Sequence, residues 1–442
     1  MFSATNNISR ILGRILTVLF TIFMGTTALY GNVHAKEPEA PENFVPVLRF
    51  AVCSDVHLDG SPTQDAAVRL GVLFDDSYAY AQKAADYKKL DAVIVAGDFA
   101  NTGDDKEYEV FNSVVNAHKK AETQLLAVLG NHEFIKYRDK DASVGYTKYK
   151  QYVCSDVDRH DVINGYHFIG VSYDDNGKTF SGKVKWLRAE LDKAKRDDPT
   201  KPVFVYQHPH PLATVYGSVT WSDKDVRAVL SEYPQVVDFS GHSHYASSDP
   251  RSVWQGNFTA VGTGSLSAYM GNLDYISGDE DAQGKSGGFW IVEADADGVV
   301  HMKLYDAQSR TFFDNVEYWF TDVADKTKRG YTWYQQSRRD TKPQFPADAE
   351  VSAEKNGAGG TVLKFPDATG YYEAESYAVV VGSGENDKVF SGKFVSDYVR
   401  AGLTGVTIDI GRIPAGTYEV EIIPYSPYMK QGKALKGVIT VD

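Results

Sequence analysis

The chain has 442 residues, of which 43% are hydrophobic and 24% charged, and these are values of a globular protein rather than a disordered one. The length exceeds what one hydrophobic core usually supports, so we expect about two domains. The net charge of −13 repels a polyphosphate backbone, so we expect no nucleic-acid partner. Two cysteines are too few for a disulfide-built scaffold, and Cys53 and Cys154 could be two free thiols or one disulfide.

Residues 1–35 have the features of a secretory signal peptide. An apolar run extends from Ile15 to Leu29, and the small residues Val33 and Ala35 stand at the spacing that signal peptidase prefers. The run is short for a membrane span and is interrupted by glycine and threonine, which favours cleavage over an uncleaved anchor. We therefore predict a secreted, periplasmic or cell-surface protein in which residues 36–46 are a linker.

From Val47 onward the pattern alternates between strands and helices. Apolar, β-branched runs predict buried strands at 47–56, 90–98, 123–131, 166–174, 201–208 and 236–244. Helical spacing predicts helices at 65–90, 104–121 and 183–197. Further strands are predicted at 258–265, 287–295 and 299–306, with an acidic, glycine-rich loop at 271–287. This alternation indicates an α/β domain with a largely parallel sheet, which we place at 47–338.

The last hundred residues have a different pattern. A charged stretch with two prolines at 336–347 marks a predicted domain boundary, and only short strand patterns follow it. We predict a small all-β sandwich domain at 345–442. The segment Ile413–Tyr418 is similar to the corner before a late strand of immunoglobulin-like and fibronectin type III modules. Two roles stay open for this domain: a spacer, or contact with glycan or the cell envelope.

Polar clusters stand at the carboxyl ends of five predicted strands: Asp55-Val56-His57, Gly97-Asp98, Gly130-Asn131-His132-Glu133, His208 and Gly241-His242-Ser243-His244. Ligands of open α/β sheets bind at the carboxyl ends of strands, so these clusters should converge in space. Oxygen and imidazole donors together suit Zn, Mn, Fe or Co rather than Ca. The glycine before Asp98, Asn131 and His242 should allow the backbone to approach a ligand closely.

The order of these motifs, D-x-H, G-D, G-N-H-E, H and G-H-x-H, resembles that of the calcineurin-like metallophosphoesterases over about residues 47–310. The fuller G-D-x-x-N-x-G form at 97–103 is similar to the class III cyclic-nucleotide phosphodiesterase branch. The resemblance implies a fold of two mixed β-sheets sandwiched between helices. The sequence differs from those of purple acid phosphatases, which carry a tyrosine ligand after the G-D motif that is not evident here. It also departs from secreted 5′-nucleotidases, whose C-terminal domain is much larger.

The resemblance also implies a site for two transition-metal ions, of which Mn, Fe and Zn are the candidates. Asp98 would bridge the two ions. One ion would be bound by Asp55, His57, Asp98 and His244, and the other by Asp98, Asn131, His208 and His242. His132 would be the general acid. Apart from the resemblance, we expect Glu133 to be a local hydrogen-bond partner rather than a catalyst. His210 competes with His208 for the ligand role, and we favour His208 because it directly follows its strand.

The sequence therefore predicts an exported hydrolase that acts on small phosphodiesters or phosphomonoesters. A hydroxide held between two metal ions would attack phosphorus, and the general acid would protonate the leaving group. Two alternatives stay open. One is a phosphomonoesterase similar to 5′-nucleotidases, and the other is an extracellular binding protein that keeps the metal site but has little turnover. The sequence does not indicate an oligomeric state.

Overall fold

The computed structural model describes residues 40–268, 287–384 and 387–442. The predicted signal peptide and most of the predicted loop at 271–287 lie outside the described residues. Among the residues that are described, no helix combines the length and the apolar character needed to cross a membrane.

The first six-stranded sheet is mixed and has the strand order β14-β13-β12-β1-β2-β3. Its strands are β1 (Pro46–Cys53), β2 (Ala92–Ala96), β3 (Gln124–Val128), β12 (Gly288–Asp295), β13 (Val300–Asp306) and β14 (Thr311–Phe320). The first three strands are parallel neighbours, whereas β12, β13 and β14 continue the sheet in antiparallel pairing. The parallel half therefore presents three carboxyl ends at one edge.

The second six-stranded sheet has the order β10-β11-β9-β6-β5-β4. Its strands are β4 (Arg159–Ile163), β5 (Tyr166–Gly170), β6 (Val203–Tyr206), β9 (Val236–Ser240), β10 (Val253–Gln255) and β11 (Thr259–Gly262). The four central strands are parallel, and the two edge strands are antiparallel. A short parallel pair, β7 (His210–Pro211) and β8 (Ser222–Asp223), lies beyond β6.

Six α-helices are described: α1 (Asp65–Lys83), α2 (Asp105–His118), α3 (Ser143–Tyr152), α4 (Val184–Asp197), α5 (Lys224–Leu230) and α6 (Trp333–Arg339). The prediction of a helix over 65–90 was too long. Arg49 donates to the carbonyl oxygens of Tyr87 and of Lys89, the latter at 3.1 Å, and Tyr87 donates to Asp91. These contacts hold the segment before β2 out of the helix.

The core has an inner layer between the two sheets and an outer layer beneath the helices. Phe50 of β1 lies in the inner layer, with its ring centroid 4.8 Å from that of Phe204 on β6. The neighbouring Ala51 lies in the outer layer with Leu70 and Phe74 of α1. Successive strand residues point to opposite faces, so the central strands are largely apolar on both sides, with Arg49 of β1 and Asp238 of β9 as buried charged residues. The predicted fold of two mixed sheets sandwiched between helices is confirmed.

The C-terminal part is all-β, as predicted. It contains β15 (Ser352–Lys355), β16 (Thr361–Phe365), β17 (Ser376–Gly382), β18 (Lys388–Val395), β19 (Val406–Asp409), β20 (Gly416–Tyr425) and β21 (Leu435–Val441). They form two antiparallel sheets with the orders β15-β16-β19 and β18-β17-β20-β21. Tyr418 donates to the carbonyl oxygen of Pro414 at 2.9 Å, so this corner is closed by its own tyrosine. The domain limits and the likeness to immunoglobulin-like modules stay predictions.

The two cysteines are unpaired thiols, which decides between the alternatives that the sequence left open. Cys53 lies on β1 and is fully buried, and Cys154 is half-buried. Burial raises the pKa of the Cys53 thiol, and the carboxylate of Asp55 acts in the same direction. Cys53 is therefore a packing residue of the outer core layer.

Candidate metal centre

The five polar clusters converge at the carboxyl ends of the parallel strands, where the two sheets meet. Side chains that follow three strands of the first sheet face side chains that follow two strands of the second. After β1 come Asp55 and His57, after β2 Asp98, after β3 Asn131 and His132, after β6 His208, and after β9 His242 and His244. The predicted convergence is thus present in the fold.

One group of donors consists of Asp55, His57 and His244, whose ligand atoms all lie within 4.8 Å of one another. His244 Nε2 is 3.0 Å from Asp55 Oδ1 and 3.0 Å from His57 Nε2. Asp98 Oδ2 lies 4.0 Å from His57 Nε2, so its carboxylate borders this group. These are the four residues predicted to bind the first metal ion.

A second group consists of Asp98, His208 and His242. His208 Nε2 lies 2.9 Å from Asp98 Oδ2 and 3.1 Å from Asn131 Oδ1, and the rings of His208 and His242 are 4.8 Å apart. These are the residues predicted for the second ion. Asp98 belongs to this group and also borders the first, with Oδ2 4.0 Å from His57 Nε2, which is the position a bridging carboxylate needs.

The charges and donor types of this pocket fit transition-metal ions. Burial opposes the ionisation of Asp55, but His244 and His208 outweigh it and hold the pKa of that carboxyl well below its usual range. Burial likewise disfavours the imidazolium of His208, yet Asp98 and Asp55 raise its pKa to about 9. Burial and the neighbouring His208 lower the pKa of His242 to about 3. Ionised carboxylates beside a neutral imidazole form a mixed oxygen and nitrogen donor set for such ions.

The backbone of five predicted ligands is in the left-handed region. The φ angles are 52° for Asp55, 49° for His57, 50° for Asp98, 71° for His242 and 56° for His244. This conformation costs about 1–2 kcal/mol for a residue with a side chain, so the surrounding structure must impose it. Backbone bonds do so here, because the N–H of Asp55 donates to Gly97 at 3.1 Å and that of His57 donates to Asp98 at 3.0 Å. Strain of this kind concentrates at functional sites.

Two glycines confirm the predicted close approach. A Cβ atom at Gly97 would lie 2.6 Å from Nδ1 of His208, and one at Gly130 would lie 2.1 Å from Oδ1 of Asp98. Both distances are shorter than van der Waals contact allows. A side chain at either position would therefore push a predicted ligand out of place.

Neighbouring groups orient the ligands. Nδ1 of His208 is 2.9 Å from the carbonyl oxygen of Ala96, which leaves Nε2 directed at the site. Glu133 accepts hydrogen bonds from the backbone N–H groups of Gly130 at 2.6 Å, Ala100 at 2.8 Å and Asp98 at 3.2 Å. Glu133 thus ties the ends of β2 and β3 together, and its predicted role as a local hydrogen-bond partner is confirmed.

His132 lies at the open side of the site, with 29% of its side chain exposed. Its Nδ1 is 2.7 Å from the carbonyl oxygen of Asn101, and its Nε2 is 3.9 Å from Asp98 Oδ2. Burial lowers the pKa of His132 more than Asp98 raises it. His132 also forms a third donor group with His57 and Asp98, so its position suits either a proton donor or a ligand.

His210 does not join the donor groups. Its Nδ1 is 3.0 Å from the hydroxyl of Ser240, and its Nε2 is 2.7 Å from the hydroxyl of Ser243. Both ring nitrogens are therefore occupied by hydroxyl groups in a buried position. This arrangement favours His208 over His210 as the ligand after β6.

Several residues around the site were not identified from the sequence. Arg138 donates to the carbonyl oxygen of Asn131 at 2.9 Å, and the indole of Trp221 lies 5.1 Å from the ring of His242. Tyr245 directly follows the last motif, and its ring lies 4.2 Å from the ring of Tyr216. These residues stand in loops without a motif, so only the fold brings them to the site.

Comparisons with known proteins agree with this geometry. Residues 48–246 match the family model of the calcineurin-like phosphoesterases. The chain is 30% identical over 167 residues to the glycerophosphodiester phosphodiesterase GpdQ of Enterobacter lignolyticus. That match covers 36% of this chain and 57% of the relative, so the chain spans little more than half of that protein's length.

Two solved structures show a weaker similarity. A purple acid phosphatase from yellow lupin has 10% identity and a TM-score of 0.43, with 62% of this chain and 53% of that chain covered. A 5′-nucleotidase precursor from Thermus thermophilus has 12% identity and a TM-score of 0.33, with 89% of each chain covered. Both scores are too low to establish a common fold. The match to the family model of the calcineurin-like phosphoesterases includes every predicted ligand and His132.

Proposed function

We propose that the protein is an exported, dinuclear metal-dependent phosphoesterase that hydrolyses small phosphodiesters. The observation that carries the proposal is the position of the Asp98 carboxylate, which belongs to one donor group and borders the other on a strained backbone. The named activity of the relative from Enterobacter lignolyticus supports a diester substrate. A secreted or periplasmic location rests on the sequence pattern of residues 1–35 alone. The likeness to the class III branch rests on the G-D-x-x-N-x-G motif alone.

Two transition-metal ions, when bound, would activate a water molecule and neutralise the charge on the phosphoryl group. The side chains of this protein supply the rest. Asp55, Asp98 and the histidines hold the ions, and Asn131 adds a neutral oxygen that does not repel a phosphate. The carbonyl oxygen of Asn101 binds Nδ1 of His132, which leaves Nε2 as the atom that faces the site.

The proton in this reaction comes from His132. As the bond between phosphorus and the leaving oxygen breaks, the proton on Nε2 passes to that oxygen and an alcohol departs. The lowered pKa of His132, caused by burial, makes its imidazolium a stronger acid than free histidine. General acid catalysis of this kind contributes about 10²–10⁴-fold to a rate.

The proposal is tested with the purified protein, whose metals are removed by chelation and then restored one at a time with Mn²⁺, Zn²⁺ or Fe²⁺. We expect up to two ions per chain and turnover of bis(p-nitrophenyl) phosphate that exceeds turnover of p-nitrophenyl phosphate. A faster monoester reaction would instead support an activity similar to that of 5′-nucleotidases. Bound metal with no turnover of any phosphate ester would support the metal-retaining binding protein and contradict the proposal.

A further inference from the structure

Three aromatic side chains lie on segments next to the metal-site histidines, and we call Tyr216, Trp221 and Tyr245 the aromatic wall. The indole of Trp221 lies edge-on to His242, and the ring of Tyr216 lies 4.2 Å from that of Tyr245. All three side chains are half-buried. Two of them belong to the loop between β7 and β8, and the third directly follows His244.

The loop packs closely on the last motif. A Cβ atom at Gly217 would lie 2.4 Å from the ring of Tyr245 and 2.7 Å from Cβ of Ser243. Any shift of this loop would therefore change the position of the wall relative to His242 and His244. Loops are the more mobile parts of a fold, so a wall built on one needs contacts that hold it in place.

Arg251 provides the first of these contacts. Its guanidinium carbon lies 3.8 Å from the centre of the Tyr216 ring, and its carbonyl oxygen accepts from the N–H of Tyr216 at 3.0 Å. The carboxylate of Asp249 binds the guanidinium with two bonds, at 2.8 Å from Nε and 2.6 Å from Nη2. Arg251 is thus fixed by a carboxylate of its own segment, between β9 and β10.

The second contact comes from the C-terminal sheets. Glu375 stands directly before β17 and is 1% exposed, and its Oε1 accepts from the hydroxyl of Tyr216 at 3.0 Å and from Nη2 of Arg251. The backbone of Glu375 is itself fixed. Its N–H donates to Tyr425 at 2.8 Å, and its carbonyl oxygen accepts from Ser396 at 2.8 Å. The backbone bonds of Glu375 to the C-terminal sheet therefore fix the carboxylate oxygen that binds Tyr216.

We infer that Glu375 is a positioning residue through which the C-terminal sheets hold the aromatic wall, and that Trp221, whose backbone N–H donates to Gly217 of the same loop at 3.1 Å, binds the organic group of the ester substrate. The inference about substrate rests on the proposed function, whereas the inference about the wall does not. An indole beside His242 suits the apolar part of an ester, because the phosphoryl group itself would lie among the metal ligands. This gives the C-terminal part a task at the site that neither a spacer nor an envelope anchor would have.

The chain offers a matched control in Arg400. This residue also joins the C-terminal part to the first six-stranded sheet through a buried ion pair, with Nε 2.8 Å from Asp306 Oδ2 and 9% of its side chain exposed. Asp306 is at the end of β13 and not at the aromatic wall. Glu375→Ala and Arg400→Ala therefore both break a buried ion pair of the same interface, but only the first releases the wall.

In Glu375→Ala, amide hydrogen exchange of residues 212–222 should become faster, whereas Arg400→Ala should leave this exchange unchanged. The KM for bis(p-nitrophenyl) phosphate should rise between about 10-fold and 100-fold in Glu375→Ala, with kcat within about twofold. Inhibition by inorganic phosphate should not change, because phosphate has no organic group. Glu375→Gln keeps an oxygen that accepts from Tyr216 and should recover most of the loss.

If Glu375→Ala does not fold, Tyr216→Phe decides the matter, because it removes only the hydroxyl group and keeps the ring. It should also raise the KM and the exchange of residues 212–222. The inference is wrong if Arg400→Ala raises both as much as Glu375→Ala, or if neither changes in Tyr216→Phe. A wild-type protein that hydrolyses no phosphate ester would overturn the proposed function, and the exchange comparison would still decide whether Glu375 holds the wall.

Discussion

Asp98 and His132 are near neighbours, with 3.9 Å between Oδ2 and Nε2, but the proposed reaction assigns them different tasks. His132→Ala should keep the bound metal and slow the hydrolysis of esters with alkyl leaving groups by about 10²–10⁴-fold. Esters of p-nitrophenol should suffer less, because that leaving group departs without a proton. Asp98→Ala should lower the metal content and slow both kinds of ester together. Elemental analysis and kcat for the two classes of diester measure these differences.

Two results would change the assignment of His132. A loss of metal as large as in Asp98→Ala would make it a ligand, which its place in the donor group with His57 and Asp98 would allow. Equal slowing for both leaving groups would indicate a role in binding phosphate rather than in proton transfer.

At the scale of elements, the turn between β2 and α2 connects a helix end to His132, the proposed acid. Glu107 in the first turn of α2 accepts from the N–H groups of Thr102 at 2.8 Å, Gly103 at 2.8 Å and Asp104 at 3.0 Å. Asp104 caps the same helix in a reciprocal capping box. The turn begins at Asn101, whose carbonyl oxygen binds His132, so one buried carboxylate supports the position of the proposed acid.

Glu107→Ala leaves these backbone donors without their acceptor. We expect the free energy of unfolding to fall by about 1–3 kcal/mol, and the rate for alkyl esters to fall more than the rate for p-nitrophenyl esters. Chemical denaturation and steady-state kinetics measure the two effects. The control is Glu109→Ala, which removes an exposed carboxylate from the same helix and should change neither quantity by much. Equal effects of the two substitutions would show that helix propensity, and not the turn, is responsible.

At the scale of the whole molecule, a buried acid lies where the end of α6 meets the C-terminal part. Burial raises the pKa of Asp340 to about 6, although the hydroxyl of Ser426, at 2.6 Å, and Lys430 oppose this. A folded pKa above the unfolded value of 3.8 favours the protonated acid in the folded state. The stability that Asp340 contributes is therefore present below pH 3.8 and is lost as the pH rises through about 6.

Asp340→Asn keeps an oxygen for Ser426 but does not ionise. Between pH 4 and pH 7 the unfolding free energy of the wild type should fall relative to that of the variant by on the order of 2 kcal/mol. Urea denaturation at a series of pH values measures the difference, and Asp442→Asn at the chain end is a surface control. Parallel curves for the wild type and Asp340→Asn would show that Asp340 does not titrate in this range.

The amino-acid sequence by itself determined the class of fold and predicted which candidate ligands come together. Each motif directly follows a strand that is apolar on both faces, and a strand of this kind is recognisable from local composition. Because parallel strands place their carboxyl ends at one edge, the order of the motifs was enough to predict that Asp55, Asp98, Asn131, His208 and His242 converge. The metal-binding and acid roles of these residues stay predictions that the experiments above test.

Only the tertiary structure decided the features that depend on contacts between distant segments. The strands β4 and β14 were not predicted, and Arg49 binds residues that follow the end of α1 at Lys83. The hydroxyl groups of Ser240 and Ser243 form hydrogen bonds with the two ring nitrogens of His210. Glu375 accepts a hydrogen bond from Tyr216, which is 159 positions away in the sequence. Periodicity and motifs describe what a segment prefers by itself, whereas these contacts form only when the folded chain brings separate segments together.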